Sequence, residues 1–247
     1  MRPRHLQFLL VIFAFGYLRD VLPERTSFQE GAFTMAANTH TKCSARVGVS
    51  NLARFQHHLT DAGLTTGAFV DSANQRHAFL LKGSTLTPIV RPYGASPAGI
   101  NKYNSVVGAY TDSSGHDHGF KRYSDGNTIH LSYPGAINTG AVGINDSGVI
   151  VGTYLGTDSA EHGFIYKSGQ WAKLQFPNAS QSTELFGISN SGVIVGQDQA
   201  HAYMYANGTA KEIAVPGYAQ TEVRAIAPGG LIAGMAGLTH GFLASCH

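Results

Sequence analysis

A short pattern that recurs five times along the chain constrains the fold more than any other feature. Each copy has an aliphatic residue, a turn rich in Asn, Asp, Ser and Gly, and a second apolar run that ends in glycine. The third copy shows it most fully, as Gly-Ile-Asn-Asp-Ser-Gly-Val-Ile-Val-Gly over residues 143–152. The aliphatic residues that open the copies are Leu59, Ile100, Ile144, Ile188 and Ile226. A repeat of about 40 residues is typical of propellers and solenoids, so an array of similar units is predicted.

Two further landmarks follow in the same order in the copies. A His-(Ala/Gly)-aromatic triplet occurs in every copy and starts at His77, His118, His162, His201 and His240. A proline closes the first four copies, at Pro92, Pro134, Pro177 and Pro216. Three landmarks in a constant order indicate a true structural repeat.

Each unit divides into four short strands. A turn of the form Asn/Asp-x-Gly between two apolar runs is typical of a β-hairpin, because Gly and Asn tolerate positive φ. Asn104 stands where the other four copies have Gly, which fits this requirement. In the third copy the strands are predicted at about 141–145, 149–154, 162–167 and 171–176, with a turn at Ser168-Gly169. A four-stranded antiparallel unit of this length is one propeller blade.

Five such units predict an all-β, five-bladed β-propeller of four-stranded antiparallel blades. An open β-solenoid is the competing architecture. The fifth copy reaches His247 where the other copies turn into their fourth strand, and residues 43–50 alternate in polarity at a suitable distance before Leu59. We therefore expect an N-terminal strand to complete the last blade, because an open sheet edge is a liability. Residues 41–247 would then form a single propeller domain.

The two cysteines of the chain, Cys43 and Cys246, fit this ring closure. Cys246 lies where the third copy turns into its fourth strand, and Cys43 begins the segment assigned to the missing strand. We predict a Cys43–Cys246 disulfide that seals the ring, with two unpaired thiols as the alternative. Such a pair favours an oxidising compartment.

Residues 1–40 are interpreted as a signal or anchor segment with a linker. Arg2 and Arg4 precede an apolar run from Leu6 to Leu18, which is short for a bilayer span and typical of a signal-peptide core. No small-residue cleavage site follows closely, so the alternatives are an uncleaved N-terminal anchor or a start codon placed too far upstream. A secreted or periplasmic protein is expected, with no other stable membrane span.

Composition excludes two other classes of protein. Charged residues make up 13% of the chain, whereas 43% is hydrophobic and 10% aromatic. Disordered chains need high charge and few aromatics, so disorder is not expected. A formal net charge of +2 gives no electrostatic case for nucleic acid as the partner.

No nucleotide-binding, zinc-protease or nucleophile-elbow motif occurs in the sequence, and no cofactor is expected.

Residues 143–152, together with His162-Gly163-Phe164, resemble the repeat of the bacterial extracellular HAF-repeat family. The resemblance covers about residues 43–247. It implies an exported, propeller-like repeat protein and implies no catalytic residues. His58 and Pro228 depart from the pattern. The blade number is also similar to that of five-bladed lectin propellers, which is an analogy of fold alone.

The triplet histidines do not predict a metal ring. The third strand of a blade lies away from the axis, so five imidazoles cannot converge on one ion at about 2 Å. A repeated structural hydrogen bond, tying blade to blade, is the expected role. His116 and His118 are weak candidates for a zinc site, because alternate residues of a strand share one face.

Departures from the repeat are the better guide to a site. His58 replaces a small residue of the first strand, His57 precedes it, and Arg224 stands at the matching place of the fifth copy. Asp198 stands where three other copies have an aromatic residue. If these side chains share one mouth of the central channel, they would bind an anionic sugar or act in acid–base catalysis. Channel polarity with bound water is the alternative.

Three further residues are candidates for ligand binding. Lys102 and Tyr103 replace the short turn residues of the other copies, and Trp171 is the only tryptophan. Trp171 would stack on a sugar ring if it is exposed, or would cover the blade edge.

The regular units and the lack of a catalytic constellation favour an exported, non-catalytic binding or scaffold module, expected to be a monomer. A glycan or a cell-envelope component is the expected partner, and equivalent pockets between blades would give several equal, weak sites. The alternative is a propeller hydrolase or polysaccharide lyase with its active site at one mouth of the channel.

Overall fold

The computed structural model describes residues 58–59, 64–70, 76–82, 85–89, 94–176, 182–198, 201–237 and 240–245. The strands of the first blade are β1 (His58–Leu59), β2 (Leu64–Val70), β3 (Arg76–Lys82) and β4 (Thr85–Ile89). Those of the second are β5 (Ala95–Ile100), β6 (Val106–Thr111), β7 (Asp117–Arg122) and β8 (Thr128–Leu131). Those of the third are β9 (Asn138–Ile144), β10 (Ile150–Leu155), β11 (Glu161–Lys167) and β12 (Gln170–Leu174).

The fourth blade consists of β13 (Glu184–Ile188), β14 (Ile194–Gln197), β15 (Ala202–Ala206) and β16 (Thr209–Ile213). The fifth, within the described residues, consists of β17 (Thr221–Ile226), β18 (Leu231–Ala236) and β19 (His240–Ser245). Every sheet is an antiparallel meander in chain order, with four strands in blades 1 to 4 and three in blade 5. The predicted five-bladed, all-β propeller is confirmed at this level.

Local turn chemistry behaves as the sequence predicts. Asn104 has a φ of 61°, in the same left-handed region as Gly148 at 78°. Ser168 and Gly169, with φ of 51° and 83°, make the predicted turn from the third to the fourth strand of blade 3. The strand limits of this blade lie close to those expected from the repeat.

Some predictions fall on residues that the structure does not describe. The N-terminal segment 1–40, the completing strand at 43–50, His57, and both Cys43 and Cys246 lie outside the described residues. The completion of the last blade and the disulfide stay predictions. No helix in the described part of the chain is long and apolar enough to cross a membrane.

Glycines of the first strand permit neighbouring blades to approach closely near the axis. A Cβ at Gly99 would lie 3.1 Å from Cα of Gly143, and a Cβ at Gly143 would lie 3.1 Å from Cα of Gly187. This contact explains why the residue before the aliphatic landmark is small. One position earlier, the first strand carries a residue with no partner on the second strand, because the pairing register shifts there in β5, β9, β13 and β17. A β-bulge of this kind redirects a side chain.

Glycines that end the second apolar run are even more tightly enclosed. A Cβ at Gly152 would lie 2.1 Å from the carbonyl oxygen of Gly140 and 2.6 Å from the Phe164 ring. The equivalent contacts to a backbone oxygen are 2.1 to 2.2 Å at Gly108, Gly196 and Gly234. Only glycine fits between the first and second strands at this level.

The core consists of apolar clusters at the junctions between successive blades. Three of them contain the buried aromatic residue of a triplet: Phe120 between blades 1 and 2, Phe164 between blades 2 and 3, and Tyr203 between blades 3 and 4. A fourth cluster lies between blades 4 and 5. Phe120 and Phe164 are fully buried. Because each cluster takes side chains from two blades, no blade buries its faces alone.

Candidate functional site

Antiparallel meanders give the propeller two rims. One rim, here called the turn rim, holds the loops between the first and second strands and between the third and fourth strands. The other, here called the histidine rim, holds the loops between the second and third strands, where the triplet histidines begin. Each rim has its own polar chemistry.

On the histidine rim, three triplet histidines each contact an aspartate of their own blade. His118 Nε2 lies 2.9 Å from Asp112 Oδ2, and His162 Nε2 lies 2.9 Å from Asp158 Oδ2. In blade 4, His201 Nδ1 lies 3.4 Å from Asp198 Oδ1. These contacts fix the loop within each blade, whereas the sequence led us to expect ties from blade to blade.

The zinc candidates His116 and His118 occupy this rim. Both ring nitrogens of His118 have partners, since Nδ1 lies 3.0 Å from Ser132 Oγ. His116 contributes its backbone N–H, which donates to Asp112 Oδ1 at 2.9 Å. The hydrogen bond from His118 is the main cause that lowers the pKa of Asp112 to about 2. Among the described residues, no group of three or more His, Cys, Asp or Glu could hold a metal ion.

The proposed channel-mouth residues have separate partners. Asp198 is buried at the end of β14, where it accepts a hydrogen bond from the backbone N–H of His201 at 2.7 Å. Arg224 is the bulged residue of β17 and pairs with Glu222. His58 lies in β1 opposite Thr66. The structure thus places Asp198 on the histidine rim and Arg224 within the innermost strand of blade 5.

Sequence reasoning missed a pair of carboxyl groups between blades 3 and 4. Glu161 begins β11 and Glu184 begins β13, and Thr183 N donates to the Glu161 carbonyl at 2.8 Å. Burial raises the pKa of Glu161, and the neighbouring carboxyl of Glu184 raises it further. Gln197 Nε2 donates to Glu184 Oε2 at 3.2 Å. No sequence motif marks this pair, because the two residues belong to different repeats and different strands.

The turn rim is connected by hydrogen bonds that pass from blade to blade. Asn101 Nδ2 donates to the carbonyl of Asn145 at 3.1 Å, and Asn145 Nδ2 donates to the carbonyl of Ser189 at 3.2 Å. Each asparagine Oδ1 also accepts from its own turn, for example from Val149 N in blade 3. The first polar residue of the repeat motif is therefore the tie between blades, a role that the sequence alone did not reveal.

Asp146 connects three blades on this rim. Its Oδ1 accepts from the backbone N–H of Lys102 at 3.0 Å, and its Oδ2 accepts from Asn190 Nδ2 at 2.7 Å. The Lys102 ammonium lies 3.5 Å from Oδ2. The negative charge of Asp146 is the main cause of the raised pKa of Lys102. The charge of this lysine is balanced within the protein.

Two tyrosine–lysine pairs lie on the turn rim of blade 2. The Tyr103 side chain is 59% exposed, and Lys102 Nζ lies 5.0 Å from the centre of its ring. Lys121 Nζ lies 4.5 Å from the centre of the Tyr123 ring, which is also exposed. Lysine over an aromatic face is a cation–π contact. Blades 3 and 4 have Ser147 and Ser191 in place of Tyr103, so the rim is not uniform.

The third binding candidate, Trp171, packs between blades 2 and 3. Its indole contacts Tyr166 at 4.6 Å, Phe164 at 5.0 Å and Tyr133 at 5.4 Å between ring centres. Tyr133 in turn stacks on Tyr154 at 3.8 Å, and burial raises the pKa of Tyr154. Three rings around a half-buried indole favour the alternative that Trp171 covers the blade edge.

Comparison with known proteins gives fold-level likenesses only. No family model and no curated protein matches the chain, so the HAF-repeat resemblance stays a prediction. TolB from Acinetobacter baumannii is 14% identical, with 69% of this chain covered and a TM-score of 0.49, and this chain spans about half (49%) of TolB. Aleuria aurantia lectin, as a mutant in complex with alpha-methyl-L-fucoside, is 13% identical, with coverages of 77% and 76% and a TM-score of 0.47. A gluconolactonase from Xanthomonas campestris is 11% identical, with coverages of 72% and 71% and a TM-score of 0.43.

Proposed function

We propose that this protein is a glycan-binding propeller and that its binding surface is the turn rim of blades 2 and 3. The observation that carries the proposal is Tyr103, an aromatic side chain with 59% exposure beside charged groups. The turn that holds it is fixed, because Asn101 Oδ1 accepts from the backbone N–H groups of Tyr103 and Ser105 at 3.1 Å each. A rigid aromatic face needs little ordering when a ligand binds.

The chemistry around Tyr103 suits a saccharide. A tyrosine ring offers a flat apolar surface for the C–H face of a sugar, while nearby polar groups take the hydroxyls. Lys102 supplies a donor 5.0 Å from the centre of the ring, and Asp146, 3.5 Å from that ammonium, supplies an acceptor. Because the corresponding turns of blades 3 and 4 carry serine, we expect one site instead of the several equal sites suggested by the repeat.

A titration with matched variants tests the proposal. A glycan array identifies a ligand, and calorimetry then compares the wild type with Tyr103→Ala and Tyr218→Ala. Tyr218 is a control on the opposite rim, with 40% exposure. Removal of the Tyr103 ring should weaken binding about tenfold, as expected for the loss of an aromatic contact. Equal affinities of Tyr103→Ala and the wild type would contradict this site.

Export and ring closure belong to the same proposal. The apolar run near the N-terminus and the positions of Cys43 and Cys246 support a secreted or periplasmic protein with a disulfide that joins the N-terminal strand to blade 5. On the chain-entropy model, closing a loop of about 200 residues contributes up to about 5 kcal/mol. Peptide mapping without reduction should recover a Cys43–Cys246 peptide, and two free thiols would contradict the closure.

An enzymatic function is the second candidate, and one observation favours it. The carboxyl of Glu161 has a raised pKa beside Glu184, and a protonated carboxyl is the general acid that glycoside cleavage requires. Chromatography of oligosaccharides after long incubation tests it, with Glu161→Gln as the inactive control. Products formed equally by Glu161→Gln and the wild type would exclude this pair as the active site.

A further inference from the structure

Position 121 is an exception in the repeat. In each blade the residue after the triplet aromatic lies opposite a second-strand residue: Lys121 pairs with Val107 as Ile165 pairs with Val151. The other blades have an apolar residue at this place, namely Leu80, Ile165, Met204 and Leu243. Lys121 is the only charged member of the set.

Its apolar equivalents fill the junctions between blades. Leu80 packs on the cluster between blades 1 and 2, Ile165 on that between blades 3 and 4, and Met204 on that between blades 4 and 5. Residues directly opposite on neighbouring strands share one face of a sheet, so Lys121 stands beside the fully buried Val107. Packing at this junction does not itself require a charge.

The amine of Lys121 reaches the turn of blade 3. A Cβ added to Gly148 would lie 3.9 Å from Lys121 Nζ. Asp146, which pairs with Lys102, belongs to the same turn, because Gly148 N donates to the carbonyl of Asn145 at 3.0 Å. Two ammonium groups therefore flank the residues 145–148.

The two ammonium groups differ in their charge balance. Lys102 pairs with Asp146 at 3.5 Å. Within the described residues the structure gives Lys121 no carboxylate partner, and its recorded polar contact is the Tyr123 ring. Burial lowers the pKa of Lys121, with no compensating anion. A partly desolvated cation without an anion is unfavourable by itself, and an anionic ligand would relieve that cost.

We propose that Lys121 recognises an anion in the turn-rim site and that the ligand is an acidic saccharide with a carboxylate. The inference rests on the proposed glycan-binding function and adds the class of ligand. In this complex the sugar ring lies on Tyr103, the aromatic residue of the proposed site, and the carboxylate of the sugar pairs with Lys121. A single ammonium suits a singly charged carboxylate, since lysine acts as a point charge. Lys102 stays paired with Asp146 and helps to position the sugar.

The test compares a uronic acid oligomer with the neutral oligomer obtained by reduction of its carboxylates. Calorimetry is performed on the full chain as wild type, Lys121→Ile and Lys121→Arg. Isoleucine is the residue that blade 3 has at this place, so the variant should fold, and thermal unfolding checks this. We expect the wild type to prefer the uronate by about tenfold, the effect of one hydrogen bond to a charged group.

Three results are decisive. Loss of the preference in Lys121→Ile, with neutral binding unchanged and the preference retained in Lys121→Arg, supports the inference. Equal binding of both oligomers by the wild type, or a preference that survives in Lys121→Ile, overturns it and leaves the glycan-binding function standing. If the wild type binds neither oligomer and the glycan array is blank, both proposals fail.

Discussion

The junction between blades 2 and 3 and the junction between blades 3 and 4 follow one plan with different chemistry. In both, an asparagine amide of one turn donates to a carbonyl of the next, from Asn101 in the first and from Asn145 in the second. The third strand places Lys121 in the first junction and Ile165 in the second. The repeat therefore supplies the frame, and single exceptions give one junction its own chemistry.

The free energy of unfolding should fall most when a substitution disrupts blade 3, which takes part in both junctions. In Gly152→Ala the new methyl would lie 2.1 Å from the carbonyl oxygen of Gly140, so blade 3 cannot keep its first two strands paired. We expect a loss of about 3 kcal/mol or more in the free energy of unfolding, measured by denaturant titration. Gly140→Ala is the control, because its methyl would meet only Ala109 Cβ, at 3.9 Å. Similar stabilities of the two variants would contradict the packing described.

The asparagine ties test whether the two junctions are equally strong. Asn101→Ala and Asn145→Ala each remove a buried amide, so a carbonyl of the next blade loses one of its two donors, and a backbone N–H of the same turn loses its Oδ1 acceptor. Each should cost about 1–3 kcal/mol in the free energy of unfolding, with the same order of magnitude for both. Ser147→Ala, at an exposed turn position, serves as the control. A loss at only one junction would show that the ties are not equivalent.

Conversion of Lys121 to isoleucine should make the first junction resemble the second. Lys121→Ile keeps an apolar stem and removes a partly desolvated charge, so a gain of up to about 1 kcal/mol is expected. The folded pKa of Lys121 is lowered below the usual value, so the unfolded chain binds more protons between the two pKa values. The free energy of unfolding of the wild type should therefore rise relative to that of the variant as pH rises through that alkaline window. Denaturant titrations at several pH values measure the difference, and a gap that widens with pH would contradict this.

The smallest effect concerns two aspartates of the histidine rim. The hydrogen bond from His118 is the main cause that lowers the pKa of Asp112 to about 2, whereas for Asp158 the backbone N–H of Ala160 comes before His162. His118→Ala should therefore raise the pKa of Asp112 more than His162→Ala raises that of Asp158. Carboxyl NMR titration measures both shifts. Equal shifts would contradict the order of causes.

The architecture was predictable because local chemistry determines it. A left-handed residue is needed at each hairpin, so Asn104 and Gly148 mark the turns in the sequence. The glycines of the innermost strand and the apolar periodicity follow from close contact between blades. The hairpin residue and the apolar periodicity recur along the chain, and the glycine recurs in copies two to four as Gly99, Gly143 and Gly187. Repetition makes these features visible without a structure.

The polar pairs were less predictable because loop length determines them. The aspartate that meets the triplet histidine precedes it by six residues in blade 2, four in blade 3 and three in blade 4. Alignment of the copies therefore does not bring the partners into one column. The Glu161–Glu184 pair joins two blades, so no single repeat contains it. Asp198 stood out in the sequence as an exception to the repeat, but the sequence did not show that its partner is the triplet histidine His201.

The buried amide-to-carbonyl hydrogen bonds between the turns run in one direction along the chain. Asn101 donates forward to Asn145, and Asn145 donates forward to Ser189. A unit of this kind thus presents an acceptor to its predecessor and a donor to its successor. A duplicated unit of this kind would enter the array with its connections already in place, so lengthening the array by one unit would need no new bonding chemistry.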